Sequence, residues 1–273
     1  SETLASAANV FMGQTEAPLI VKPYLAGMTR SELMALMVGG MATIAGGVAA
    51  AYASLGIDAG HLLTASLLSA PGTLVIAKLM FPETEKSATA NEACELPRSP
   101  ATNSIDALCQ GAADGMRMSI NVIAMLIAFI AMVYLANALL AWALSWTDWT
   151  ITIQEAVGWL NVPFAFMMGV PADECLQVGT VLGERVVLNE FVGFLSLSNM
   201  TTGEGALSER TVTIATFALC GFANFASVAI QIGGISTLVP ERRPDLAKLG
   251  LRAMVGGLLA CYLTASVAGL LMR

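Results

Sequence analysis

Five long stretches of this sequence, residues 33–57, 61–77, 118–147, 211–240 and 253–272, contain no Asp, Glu, Lys or Arg. A bilayer crossing needs about 20 consecutive apolar residues, and four of the five runs reach that length. A run of 30 residues such as 118–147 is ~45 Å long as one helix at ~1.5 Å per residue, enough to span with tilt. Such a chain reads as a multi-pass, all-α membrane protein. Composition agrees, with 56% hydrophobic and only 12% charged residues and a mean hydropathy of +0.72. Soluble domains carry about 25% charged residues, so an ordinary soluble enzyme and a disordered chain are both excluded. The net charge of −7 gives no basic surface for nucleic acid.

The run 61–77 contains Pro71, which is expected to kink or break it. The run 211–240 is interrupted by Gly221, Gly233 and Gly234. The spacing of Thr29 and Glu32 is that of a capping box, which predicts a helix starting at residue 30. Two further segments are apolar without reading as simple spans. Residues 1–26 hold Glu16, Lys22 and two prolines. Residues 150–197 are broken by Gly158, Pro163, Gly169 and Pro171, then carry Glu184, Arg185 and Glu190. These read as re-entrant or interfacial, and irregular backbone at membrane depth must be buried in protein or line a hydrated cavity.

Lys22 and Arg30 lie in one link, Lys78, Lys86, Arg98 and Arg117 in a second, and Arg242, Arg243, Lys248 and Arg252 in a third. Placing these three links in the cytoplasm gives a consistent alternation through every span, with the carboxyl end outside. The turn 56–60 carries no Lys or Arg. Asp106 and Asp114 then belong to a solvated or amphipathic face, and His61 to the interface.

The five cysteines, Cys94, Cys109, Cys175, Cys220 and Cys261, are scattered singly and His61 is the one histidine. Neither a metal cluster nor a disulfide framework follows. No P-loop, GxGxxG or HExxH pattern occurs, so ATP-driven and zinc-protease chemistry find no support.

An internal repeat is visible as a pattern. The apolar run 8–16, ending in Gly13-Gln14-Thr15-Glu16, precedes a Gly-rich span with Gly39-Gly40 and Gly46-Gly47. The run 186–190, ending in Asn189-Glu190, precedes a Gly-interrupted span. On the orientation above, the first enters from the cytoplasm and the second from outside. Paired interrupted segments of opposite topology point to a transporter's central site.

Each polar residue in these segments admits two readings. Glu16 either caps backbone N–H groups at a membrane-facing turn or binds a ligand, together with the donors and acceptors of Gln14 and Thr15. Glu190 is either half of a structural ion pair with Arg185 or an acceptor for sugar hydroxyls. Asn224 and Ser227 share a helix face, as interhelical glue or as part of that site. Asn9 and Thr43 are either ordinary polar packing or oxygen ligands for a small cation. A channel would need continuous pore-lining spans, and an intramembrane enzyme would need a nucleophile paired with a base. The sequence offers neither.

The segments A-A-N-V-F-M-G-Q-T-E-A-P-L at 7–19 and L-N-E-F-V at 188–192 resemble the two re-entrant hairpins of the concentrative nucleoside transporters. G-F-A-N-F-A-S-V-A-I-Q at 221–231 is similar to the broken helix after the second hairpin, and G-G-M-A-T-I-A-G at 39–46 fits the one after the first. The resemblance implies an inverted-repeat fold with two re-entrant helical hairpins and broken transmembrane helices. It implies a first hairpin and two spans over residues 1–117, a scaffold helix over 118–147, and a second hairpin, broken helix and last span over 148–273. It further implies a homotrimer in a cell membrane, such as a bacterial inner membrane, with a transport part that moves like an elevator. By the same resemblance Gln14, Thr15 and Glu16 meet the base of a uridine-like nucleoside. Glu190, Asn224 and Ser227 meet its ribose. One sodium ion lies near the Asn9 and Thr43 side chains and the Met12 and Ile44 carbonyls. The Gln-Thr-Glu-Ala-Pro form favours sodium over proton coupling. Thr43 stands where Ser is common, and further spans are expected ahead of Ser1.

Overall fold

The computed structural model describes residues 1–88, 101–147, 151–203 and 205–272, so Cys94, Arg98, Thr150 and the final Arg273 lie outside the described residues. Among the described residues the regular structure is helical. Four stretches are long and apolar enough to cross a membrane: Arg30–Ser54, Ala59–Met80, Ser104–Ala143 and Pro240–Leu271.

The first hairpin is α1 (Glu2–Asn9), a non-helical tip, and the two short helices α2 (Ala17–Ile20) and α3 (Lys22–Leu25), each with a proline in its first turn. The Arg242 guanidinium donates to the carbonyls of Ala26 (2.9 Å) and Met28 (2.6 Å), holding the exit from the hairpin. The capping box forms as the spacing requires. Thr29 Oγ1 accepts from the Glu32 N–H at 3.1 Å, and the Glu32 carboxylate accepts from the Thr29 N–H at 2.9 Å. It starts α4 (Arg30–Met41). The uncharged run 33–57 is not one helix: it breaks at residues 42–45 and resumes as α5 (Gly46–Ser54).

The helix α6 (Ala59–Met80) starts at Asp58, whose carboxylate accepts from the His61 N–H at 2.9 Å. That bond, aided by the attraction of the His61 ring and the Gly60 N–H, holds the Asp58 carboxyl below its usual range against an opposing desolvation. Of the kink or break expected at Pro71, the break does not occur: α6 runs through it as one helix. The missing N–H of Pro71 costs one bond of a 22-residue helix that is held by packing on its neighbours, where the proline is tolerated. The helix α7 (Ser104–Ala143) runs 40 residues and begins well before the uncharged run. Its early turns carry Asp106 and Asp114, and Asp114 pairs with Lys22 at 2.6 Å.

The helices α8 (Ile153–Met167) and α9 (Cys175–Val187) lie in close contact, and α10 (Glu190–Asn199) turns back on α9 to complete the second hairpin. After α11 (Glu209–Leu219) the chain breaks at residues 220–224 and continues as α12 (Phe225–Leu238). Gly233 and Gly234 do not interrupt α12. They give it a smooth face against Met125 and Met118 of α7. The last helix, α13 (Arg243–Leu271), is capped at its carbonyl end by Arg210, which donates to Gly269 O at 2.7 Å and to Met272 O.

The two breaks divide the interior. One apolar core is built from α4, α12 and the first half of α13. The other is built from α5, α9, α10, α11 and the second half of α13. Each broken helix contributes one half to each core. Thr43 and Ile44 fall in the first break and Asn224 at the end of the second.

Candidate functional site

Glu190 is the first residue of α10, and Asn189 caps that helix by accepting the Val192 N–H at 2.9 Å. The Glu190 side chain is buried. A lone carboxylate there would be costly, yet it is well supplied. Tyr52 Oη donates to Oε1 at 3.0 Å and Asn224 Nδ2 donates to Oε2 at 2.9 Å. Asn224 is the cap of α12, with its Oδ1 accepting the Ser227 N–H at 2.8 Å. The positive ends of two helices thus converge on one carboxylate.

The chain of contacts continues into the first hairpin. Gln14 Nε2 donates to Ser227 Oγ at 3.0 Å. Gln14, Ser227, Asn224, Glu190 and Tyr52 form one hydrogen-bonded line between the two hairpin tips, and all five are buried. Beside the line, a cleft of about 210 Å³ opens between α7 and the second hairpin tip, lined by Tyr134, Leu188, Asn189, Val192 and Ala226 among others.

The residues expected to hold a cation lie at the end of α1, in the first tip and in the α4–α5 break. Asn9 ends α1 at 1% exposure, and neither atom of its amide has a partner. Thr43 sits in the α4–α5 break and its hydroxyl donates to Gly39 O at 2.9 Å, leaving both lone pairs to accept. Ile44 is its neighbour in the same non-helical stretch, and Met12 lies in the non-helical tip. Phe11 O accepts the Gly46 N–H at 3.0 Å, which holds tip and break together. Gln14 Oε1 and Gln231 Oε1 are also buried without partners. A Cβ on Gly39 would lie 2.9 Å from Asn9 Nδ2, and one on Gly40 would lie 2.6 Å from Gln231 Nε2 and 3.0 Å from Gln14 Cβ. Three amide side chains therefore crowd one face of α4, and only glycine leaves them room. An unpaired buried polar atom costs about 1–3 kcal/mol, so this concentration of them marks a place that expects an ion, a ligand or water.

Not every expected residue joins the line. The Glu16 side chain is exposed and accepts from its neighbour Thr15 at 2.9 Å, folded over Gly13. Arg185 is not the ion-pair partner of Glu190: no such pair within 4 Å occurs among the described residues. It is fully buried and donates instead to Ala218 O at 2.5 Å and Cys261 Sγ at 3.1 Å. It caps the carbonyl end of α11, where a cation is favoured. Tyr52 and Gln231, to which no local sequence pattern gives a role, also join the arrangement.

The model of the family described as "Na+ dependent nucleoside transporter C-terminus" matches residues 61–269. The chain belongs to this family of nucleoside transporters, which are not enzymes. It is 44% identical, over 99% of its length and 67% of the relative's, to the uncharacterized transporter YutK of Bacillus subtilis. To sodium/nucleoside cotransporter 2 of Rattus norvegicus it is 41% identical, over 99% of its length and 43% of the relative's. The chain therefore spans about two thirds of its bacterial relatives and two fifths of the animal ones. Among solved structures, an outward-facing CNTnw variant superposes with a TM-score of 0.90 at 41% identity, over 100% of this chain and 65% of that one. CNTnw in an inward-facing, substrate-bound state gives 0.80 at 42% identity, over 99% and 64%. Membership of the family and the apolar spans make this a membrane protein.

Proposed function

We propose that the chain forms the substrate-carrying part of a sodium-coupled nucleoside carrier that works by alternating access. The single observation that carries this reading is the hydrogen-bonded line from Gln14 to Glu190, which ties the two hairpin tips together beside a group of unpartnered amides.

The chemistry of the line suits a nucleoside. A buried carboxyl flanked by an amide and a hydroxyl accepts hydrogen bonds from vicinal sugar hydroxyls, which assigns the ribose to Glu190, Asn224 and Ser227. Gln14 offers a free acceptor to the edge of a base, and Thr15 and Glu16 stand next to it in the tip. Glu16, exposed in this conformation, reaches a base only if the tip closes over the ligand.

Sodium prefers hard oxygen ligands. The orphaned Asn9 amide, the Thr43 hydroxyl and the carbonyls of Met12 and Ile44 form a donor set of that chemistry, between hairpin tip and helix break. A cation held there draws the first tip onto α4 and completes the base side of the site. Coupling needs only that sodium binds the substrate-competent state better than its alternative. The loaded unit then moves as one body, and the long apolar surface of α7, with Leu135, Leu139 and Trp142 exposed, suits a scaffold packed against lipid and further copies in a trimer. A multi-pass position in a cell membrane follows, in a bacterium the inner one.

The test is binding of uridine, set against adenosine, to the purified protein with sodium or with choline. Saturable binding that needs sodium supports the proposal. Binding that follows pH and ignores sodium makes the carrier proton-coupled, and non-saturable flux makes it a channel.

A further inference from the structure

We propose that the cytoplasmic end of α13 carries a binding site for the phosphodiester of an anionic lipid, distinct from the nucleoside site. A cleft of about 290 Å³ is lined by Arg30, Phe81, Asp245, Lys248, Leu249 and Arg252. Three of these six are cations and one is an anion. That anion is already committed: Asp245 Oδ1 accepts from Arg30 Nε at 3.1 Å, and Oδ2 accepts from Arg242 Nε at 3.1 Å. Glu83, two residues beyond Phe81 in sequence, is taken by Thr29 at 2.7 Å and by Lys78 at 3.5 Å. Among the described residues Lys248 and Arg252 have neither a hydrogen bond nor an ion pair. The cleft is a place of uncompensated positive charge, with Leu249 and Phe81 as its apolar lining.

Depth decides between a lipid and a free anion. Arg252 is the last charged residue of α13, and the uncharged stretch 253–272 after it is 20 residues long. At ~1.5 Å per residue that is ~30 Å, the thickness of a hydrocarbon core. Arg252 therefore stands at the boundary between acyl chains and headgroups, and Lys248 one turn outside it, on the side where the basic links cluster. The helix period puts Leu251 and Val255 on a stripe adjoining Lys248 and Arg252. Those two are exposed at 58% and 44%. A phosphate on the cations thus has an apolar track beside it, running into the membrane, for its acyl chain. Basic pockets between transmembrane helices on the cytoplasmic side are the physical form that recognition of anionic headgroups takes.

The inference does not depend on the cargo, and its test does not use transport. The whole protein in detergent is titrated with palmitoyl-oleoyl phosphatidylglycerol, with the phosphatidylcholine of the same chains, and with inorganic phosphate, and retained adducts are read by native mass spectrometry. The glycerol lipid should be retained in preference to the choline lipid. A Lys248→Gln, Arg252→Gln double variant should lose about 25- to 30-fold in that retention, since each basic residue at a membrane surface contributes about fivefold. Lys86→Gln, a cation on the same side but outside the cleft, should leave retention unchanged. Equal retention of both lipids, no loss in the double variant, or an equal loss in Lys86→Gln would overturn the site. Displacement of the lipid by inorganic phosphate at matched concentration would overturn the lipid as its occupant.

Discussion

Tyr52 Oη donates to Glu190 Oε1 at 3.0 Å across 138 residues of sequence. Tyr52 belongs to α5, whose helix begins just past Thr43 and Ile44. Glu190 opens α10 in the other half of the repeat. One hydrogen bond thus joins the helix that follows the residues proposed for the cation to the carboxylate proposed for the sugar.

Tyr52→Phe should keep the fold, because the ring stays stacked on Phe194 at 4.4 Å between centroids. It removes one donor from a buried carboxylate, worth about 1.5 kcal/mol for a bond to a charged group. The expected outcome is a roughly tenfold fall in kcat/KM for nucleoside uptake, with a raised sodium requirement. Proteoliposome uptake at graded sodium measures both. Unchanged sodium activation would mean that Tyr52 serves packing alone.

Glu190→Gln tests the carboxylate itself. The Tyr52 hydroxyl can turn from donor to acceptor and meet an amide, so expression and thermal stability should survive. The charge-assisted bonds to a sugar would be lost, and kcat/KM should fall by roughly 30- to 100-fold, the ~2–3 kcal/mol expected of them. Normal kinetics in this variant would remove Glu190 from the site.

Much of this arrangement was legible in the sequence. The uncharged runs, the Thr29–Glu32 cap and the polar ends of the two hairpins are local signals, set by the dielectric of the bilayer and by the helix period. The positions of the breaks were less so. Gly221 lies in a break, but Gly233 and Gly234 are helical, because a glycine marks either a turn or a close approach and only packing decides which. Tyr52 was not legible at all: it sits in an Ala-rich run, and nothing local tells a tyrosine that packs from one that donates to a distant carboxylate. Arg185 misled for the same reason. Its spacing from Glu190 suggested a pair, whereas the fold gives its guanidinium the carbonyl end of α11.

Asn9→Ala should weaken sodium activation more than substrate affinity at saturating sodium. It deletes an amide that has no partner in the protein, so little folding energy is lost with it. The half-activating sodium concentration should rise about tenfold or more, ~1.4 kcal/mol of ion binding. Sodium-dependent quenching or uptake gives the number. An unchanged sodium curve would place the ion elsewhere or make the coupling protonic.

The contact of α8 with α9 makes a prediction about stability that is separate from transport. A Cβ on Gly183 would lie 2.4 Å from Gln154 O and 2.5 Å from Gly158 N, both backbone atoms of α8 that cannot turn aside. A Cβ on Gly179 would meet the same helix, 2.8 Å from Gly158 O. Small residues four apart let two helix backbones touch, the main source of helix association where the surroundings are as apolar as the side chains. Gly183→Ala must force the helices apart, at a cost of about 1–3 kcal/mol for overpacking. Gly115→Ala, on α7 with nothing within 4 Å of its Cβ, should be neutral or slightly stabilising, since alanine is the better helix former. Thermal unfolding in detergent should show Tm lower by several degrees for Gly183→Ala and unchanged or higher for Gly115→Ala. Equal Tm values for the two would mean that the second hairpin does not rest on this contact.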